Sequence, residues 1–246
     1  MISKTFRIAQ MIVVVSFALS PAAWAATCSN ASLSGTYGFL HDGTDSNGTP
    51  SSAAVSQITF DSTTGTFTGE TKASHDGVIT TFSFTGIYKI GSNCTGMGRP
   101  TGGSPFSIVV TSSGFLALHL LSEGSALKQG SPTCTNAGVT GIFGFETTGV
   151  FLATGAVAFI GELKLKVNPS GEGVISGHIA ISEDGTFTQE HVTGSYRVAK
   201  DCTGRATITP KGHPEMHFSL VVVNDGNEML AVETDADTVV SGTLQR

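Results

Sequence analysis

The two imidazoles of His213-Pro-Glu-Met-His217 are the nearest thing to a metal-ligand pair in this sequence. At a spacing of four they would share one ion only on a helix, which Pro214 and the strand-forming run after it oppose; on a strand they stand roughly 13 Å apart. Surface histidines at a strand entry are the better reading, and no metal ligand is assigned. Asp42-Gly-Thr-Asp-Ser-Asn-Gly48 has the oxygen-rich composition of a calcium loop. With Asp45, Asn47 and Gly48 at the third, fifth and sixth positions of such a loop, Gly43 falls where the first carboxylate belongs and Ala54 where the bidentate one does, so the segment reads as an Asx-rich turn. For nucleophilic catalysis there is no G-x-S-x-G elbow, since Gly124-Ser-Ala and Gly194-Ser-Tyr lack its second glycine. Glu162, Glu172, Glu183, Asp184 and Glu190 could furnish a carboxylate pair for glycoside chemistry, but they sit at turns or on wet faces, where solvated charge is the default. No catalytic residue and no cofactor is assigned.

The elements that would have to position any site come in two copies. Phe84-Thr-Gly-Ile-Tyr-Lys-Ile-Gly-Ser-Asn-Cys-Thr-Gly96 returns as Val192-Thr-Gly-Ser-Tyr-Arg-Val-Ala-Lys-Asp-Cys-Thr-Gly204, with six of thirteen positions identical. Gly35-Thr-Tyr-Gly-Phe39 returns as Gly141-Ile-Phe-Gly-Phe145, Phe106-Ser-Ile-Val-Val as Phe218-Ser-Leu-Val-Val, and Cys28 as Cys134. The chain is a tandem duplication, and what survives in both copies is aromatic, glycine and cysteine. None of the seven histidines is duplicated; His178 falls at Glu70 and His119 faces Glu233. A catalytic or metal centre inherited by both copies is therefore not expected, and the chain reads as a non-enzyme.

Residues 1–25 read as a signal peptide: Lys4 and Arg7, an apolar run from Ile8 to Leu19, then Ala23-Trp24-Ala25 as the small-x-small cleavage site. Cleavage near Ala25 would send the protein to the periplasm or the exterior, with repeat 1 at 26–130 and repeat 2 at 131–246. It removes two bases and no acid, leaving 11 basic and 19 acidic residues, a net charge of −8. That surface opposes nucleic acid and anionic membranes, and no further apolar run is long enough to span a bilayer. Four cysteines allow three pairings. The one that respects the duplication is Cys28 with Cys94 and Cys134 with Cys202, each loop contributing about 4 kcal/mol by chain entropy.

Helical periodicity is nearly absent, whereas Glu162-Leu-Lys-Leu-Lys-Val167 alternates apolar and charged side chains, the pattern of a strand with one buried and one wet face. Turn signals recur at Asp61-Ser-Thr-Thr-Gly65, His75-Asp-Gly77, Asn168-Pro-Ser-Gly-Glu-Gly173 and Glu183-Asp-Gly185. About eight strands per repeat joined by short loops predict an all-β protein of two tandem antiparallel up-and-down barrels, with two β-sandwiches as the alternative. Gly86 and Gly194, inside long strands, are where a bend or bulge is expected. A short linker around 128–133 implies that the two units pack together.

The pair Gly35-Thr-Tyr37 and Gly141-Ile-Phe143 opening each meander resembles the calycin group, which includes lipocalins and avidins; lipocalins carry Trp where this chain has Tyr37 and Phe143. The whole mature chain also resembles secreted bacterial proteins with Gly-Thr-Tyr-Gly-Phe and Cys-Thr-Gly repeats. The calycin resemblance implies barrels open at one end, with a basic residue of the last strand, Lys128 or Arg246, across the first-strand aromatic.

The phase of the strands puts Tyr37, Phe39, Ile58, Phe60, Phe67, Phe82, Phe84, Tyr88, Phe106 and Ile108 inward in repeat 1, and Phe143, Phe145, Leu165, Val167, Ile175, Val192, Tyr196, Phe218 and Leu220 inward in repeat 2. An eight-stranded barrel either fills itself with such side chains or holds one small apolar ligand. The expected function is a secreted binding protein for such a ligand, with Tyr37, Phe39, Tyr88, Phe143, Phe145, Phe151, Phe159 and Tyr196 as contact residues. The ligand is placed in the second barrel, beside the apolar stretch 150–160 that replaces a polar loop of repeat 1. The alternative is a structural or protein-interaction module with solid-cored barrels.

Overall fold

A computed structural model describes residues 27–119, 122–130 and 134–246. The signal peptide expected at 1–25 lies outside them. The first sheet comprises β1 (Gly35–Thr44), β2 (Pro50–Asp61), β3 (Thr66–His75), β4 (Val78–Ile90), β5 (Thr95–Pro100), β6 (Phe106–Val110), β7 (Gly114–His119) and β8 (Ser122–Lys128). The second comprises β9 (Gly141–Phe151), β10 (Gly155–Val167), β11 (Gly173–Glu183), β12 (Thr186–Val198), β13 (Thr203–Pro210), β14 (Met216–Val223), β15 (Glu228–Glu233) and β16 (Thr238–Gln245). Each strand pairs antiparallel with the next, and β8 returns to β1 as β16 returns to β9, so both sheets close into eight-stranded barrels. Closure excludes the sandwich alternative and leaves no sheet edge to template unwanted pairing.

Alternation drives the strands as expected. On β10 Leu163 and Leu165 are buried while Glu162, Lys164 and Lys166 are exposed. The hairpins turn at Asp76-Gly77 and Asp184-Gly185, where all four residues have positive φ, the two-residue loop whose twist matches that of the flanking strands. Gly86 and Gly194 are not bulges. The ladders run through both without a shift in register. At Gly86 the missing side chain makes room for a ring: a Cβ there would lie 2.3 Å from Cζ of Phe67.

Each barrel is shut at one end by the same device. A 3-10 turn, Asn30–Leu33 or Asn136–Val139, crosses the base and is tied down by the disulfides Cys28–Cys94 and Cys134–Cys202. The Tyr88 hydroxyl donates to the carbonyls of Asn30 and Leu33, and that of Tyr196 to the carbonyl of Asn136 at 2.8 Å. The side-chain oxygens of Asn30 and Asn136 accept from the backbone N–H groups of Ile90 and Val198, both at 2.8 Å. Burial pushes both tyrosines up to about 12, so the hydroxyls keep the protons they donate. Lys128 lies 6.0 Å from the Tyr37 ring centroid and Arg246 5.0 Å from that of Phe143, the cation–aromatic contacts that the calycin resemblance implies.

The barrels pack side by side, and the second supplies strands buried on both faces. Leu220 and Val222 of β14, with Met229 and Ala231 of β15, point into their own core. Between them, Val221, Val223, Leu230 and Val232 point outward, onto Leu40, Ala53 and Val55 of β1 and β2. Gly38 permits the approach, since a Cβ there would lie 2.4 Å from Cγ1 of Val223. Polar groups tie the seam: Ser74 donates to the Thr238 carbonyl, Ser241 to the Asp42 carboxylate, and the Asp237 N–H to the Gly77 carbonyl at 3.0 Å. Replacing Gly38 by Val should overpack this seam and cost about 1–3 kcal/mol in urea unfolding, with the far-UV spectrum retained; an unchanged midpoint would show that the barrels do not touch there.

Candidate functional site

The first barrel is hollow toward its open end. A cavity of about 540 Å³ extends down from the rim, walled by Phe39, Ile58, Phe84, Phe106 and Phe115. Higher up it is ringed by small polar side chains, among them Ser52, Thr80, Ser104 and Ser122, with His41, His75 and Phe82 at the mouth. No Asp, Glu, Lys or Arg is among the described residues that line it. The side-chain oxygens of Ser56 and Thr71 share a buried 2.7 Å hydrogen bond on the wall, which leaves acceptor lone pairs for a ligand donor.

The second barrel is filled, and matching ladders show why. Tyr37 pairs with Ile58 as Phe143 pairs with Leu163, and these in turn with Gly69 and Gly177. Counting along β2 and β3 from those anchors, Ala54, Thr71 and Ala73 of the first barrel stand where the second has Phe159, Ile179 and Ile181. Three small side chains against three large ones open the space. Phe84 against Val192 runs the other way, so the cavity keeps an aromatic wall. The pocket that enters the second barrel at its mouth, bordered by Phe151, Phe159, Ile181 and Met216, measures about 210 Å³, and a shallower one of about 440 Å³ beside it is lined by Thr154, Ile181, Asp184, Thr186 and Thr188. The larger apolar space is thus in the first barrel, whereas the sequence reading placed the ligand in the second. The stretch 150–160 forms the β9–β10 hairpin and packs its two phenylalanines together, ring centroids 6.2 Å apart.

Of the eight aromatics expected to contact a ligand, Phe39 lines the larger cavity and Phe151 and Phe159 the smaller. Phe145 packs edge-on against Phe218 in the second core. Tyr37, Tyr88, Phe143 and Tyr196 belong to the closed ends, where their faces or hydroxyls are already engaged. Sequence reasoning missed Ser56, Thr71 and Phe115, and the signal was present: a position-by-position comparison of inward side-chain volume between the repeats.

The other groups weighed for chemistry remain apart. Asp45 accepts from the backbone N–H groups of Asn47 and Thr49 at 2.8 and 2.9 Å, an Asx turn whose hydrogen bonds hold its carboxyl below the usual range. His213 borders the smaller pocket, whereas His217 lies outside, its Nδ1 2.7 Å from Asp235. Among the described residues no three His, Cys, Asp or Glu side chains cluster as a metal site would require, and no helix is long and apolar enough to cross a membrane.

No protein-family model matches the sequence, and no curated protein does. The site therefore rests on geometry.

One further group stands out at the mouth of the second barrel. Glu233 is 2% exposed, borders the smaller pocket, and its Oε2 has no hydrogen-bond partner. Burial, with the neighbouring Asp235 charge adding to it, pushes its carboxyl from the ordinary 4.5 up to about 8. A raised folded-state value means that the native protein binds the proton more tightly than the unfolded chain does. This contribution to stability is complete below pH 4.5 and is lost as pH rises through about 8. Thermal unfolding of Glu233→Gln should accordingly show a flatter pH profile over that interval than the parent, with the largest relative gain at its alkaline end; parallel profiles would contradict a neutral Glu233.

Proposed function

We propose that the protein is a non-enzymatic binding protein that acts outside the cytoplasm and holds one small, uncharged, mainly apolar molecule in its first barrel. The observation that carries this reading is the 540 Å³ cavity with its aromatic walls and no ionic lining. A cavity of that size and polarity lies within the range of small-molecule sites, where apolar surface supplies affinity and a few polar groups fix orientation. Below the polar rim, the Ser56–Thr71 hydroxyl pair is the polar feature of the wall, so the favoured ligand carries a hydroxyl on a mainly apolar frame. Two disulfides support an oxidising compartment. A net negative surface directs the protein away from nucleic acid.

The filled second barrel contributes to this role as a rigid support. Its outer face covers β1 and β2, the strands that carry Ala54, Ser56 and Ile58 into the cavity.

Titration with a neutral naphthylamine fluorophore tests the proposal. One equivalent should bind, and the Ala54→Phe/Ala73→Ile variant, which copies the second barrel's side chains into the first, should abolish the signal while remaining folded. Undiminished binding in that variant, or none in the parent, would overturn it.

A further inference from the structure

We propose that the mouth of the second barrel is a separate site for a small hydrophobic amine. Three of the buried side-chain oxygens that lack a hydrogen-bond partner belong to this barrel: Glu233 Oε2, Thr147 Oγ1 and Thr188 Oγ1. Thr147 pairs across strands with Phe159 and Thr188 with Ile181, beside two walls of the pocket, but of the three only Glu233 lines it. Leaving the Glu233 carboxyl unpaired costs free energy, and an ammonium group, with three N–H donors and no acceptor, is the complement of a carboxylate. The titratable groups around Glu233 agree in sign. Glu183, Glu215 and Asp235 border the same pocket, against His213 alone, while His217 is taken up by Asp235. Phe151 and Phe159 offer an apolar wall and ring faces to a cation and its hydrocarbon tail. In the first barrel the aligned positions for Glu183 and Glu233 are His75 and His119, so this acidic mouth belongs to one copy only.

Binding of the ammonium form moves the Glu233 proton to solvent and leaves a carboxylate beside the cation. Calorimetry on the full chain with benzylamine, and with benzyl alcohol as its neutral isostere, decides the matter. The amine should bind with one-to-one stoichiometry at least about tenfold tighter than the alcohol, with proton release at neutral pH, and Glu233→Gln should remove that advantage. Binding of the naphthylamine fluorophore in the first barrel should be unaffected, which separates this site from the one proposed above. Equal affinity for amine and alcohol, or an unchanged Glu233→Gln variant, would overturn the proposal.

An independent observation carries a second inference. Val109, Leu116 and Leu118, on the outer face of β6 and β7, are 46%, 51% and 58% exposed. By ladder position they match Val221, Leu230 and Val232, which are buried against the outer face of β1 and β2. The first barrel thus presents bare the surface that the second uses to bind the first. The complementary surface is also bare on β9 and β10: Gly144, Ala158 and Ile160 stand where Gly38, Ala53 and Val55 receive the second barrel. Both faces are rimmed by charge: Glu123 pairs with Leu118 on β8 and Lys89 and Arg99 lie on β4 and β5 beyond the β6–β7 face, while Glu146 pairs with Ile160 and Lys164 with Ile142 on the β9–β10 face.

We infer that a second copy of the chain docks here head to tail, repeating between molecules the contact made within one. A heterologous contact of this kind closes into a ring or runs on as a fibre. Light scattering with the full chain should show mass growing with concentration. Leu118→Glu alone and Ile160→Glu alone should each remain monomeric, yet a mixture of the two should form a one-to-one dimer through the intact pair of faces. A monomer at every concentration, or assembly indifferent to Ile160→Glu, would overturn it.

Discussion

Closure of the eight-stranded sheet is the constraint on which everything else depends. Once β8 bonds to β1 and β16 to β9, the circumference of each tube is fixed and the inward side chains alone decide what fills it. The same backbone therefore serves two purposes in one chain. Where Phe159, Ile179 and Ile181 point inward the tube is solid; where Ala54, Thr71 and Ala73 occupy those positions it is hollow. The cost of the hollow is met at the other end, where disulfide, 3-10 turn and buried tyrosine close the base by local contacts independent of the cavity.

Duplication freed the two copies to diverge. One has an uncharged aromatic interior. The other has a packed interior and an outer wall that serves as a buttress, so that β14 and β15 are apolar on both faces. An isolated barrel could not carry those strands without exposing Val221, Val223, Leu230 and Val232 to water. The polar groups at the seam, Asp42 with Ser241 and Ser74 with the Thr238 carbonyl, fix the register of one barrel on the other.

Much of this was legible in the sequence. Alternation along β10, the Asp-Gly turns and the repeated Cys-Thr-Gly define strands, hairpins and disulfides through local chemistry, which is why they read directly. The seam was legible but hidden in a break of pattern: Val221-Val222-Val223 and Met229-Leu-Ala-Val232 are unbroken apolar runs where a barrel with one wet face should alternate. The cavity was not legible from residue type. Aromatic side chains at Tyr88 and Phe39 look alike in sequence, yet one seals the base and the other lines the space, and only strand register separates them. Glu233 was similarly concealed, since a carboxylate at a strand end reads as solvated until the neighbouring strands are seen to close over it.

Crystallography of the full chain under xenon pressure measures the central claim most directly, because xenon enters apolar space that is empty and accessible and leaves a strong scattering peak. Peaks should appear in the first barrel between Phe39, Phe84, Phe106 and Phe115, with none in the packed core around Phe145, Leu163 and Phe218. Xenon absent from the first barrel, or present equally in both cores, would contradict the division into one hollow and one solid barrel.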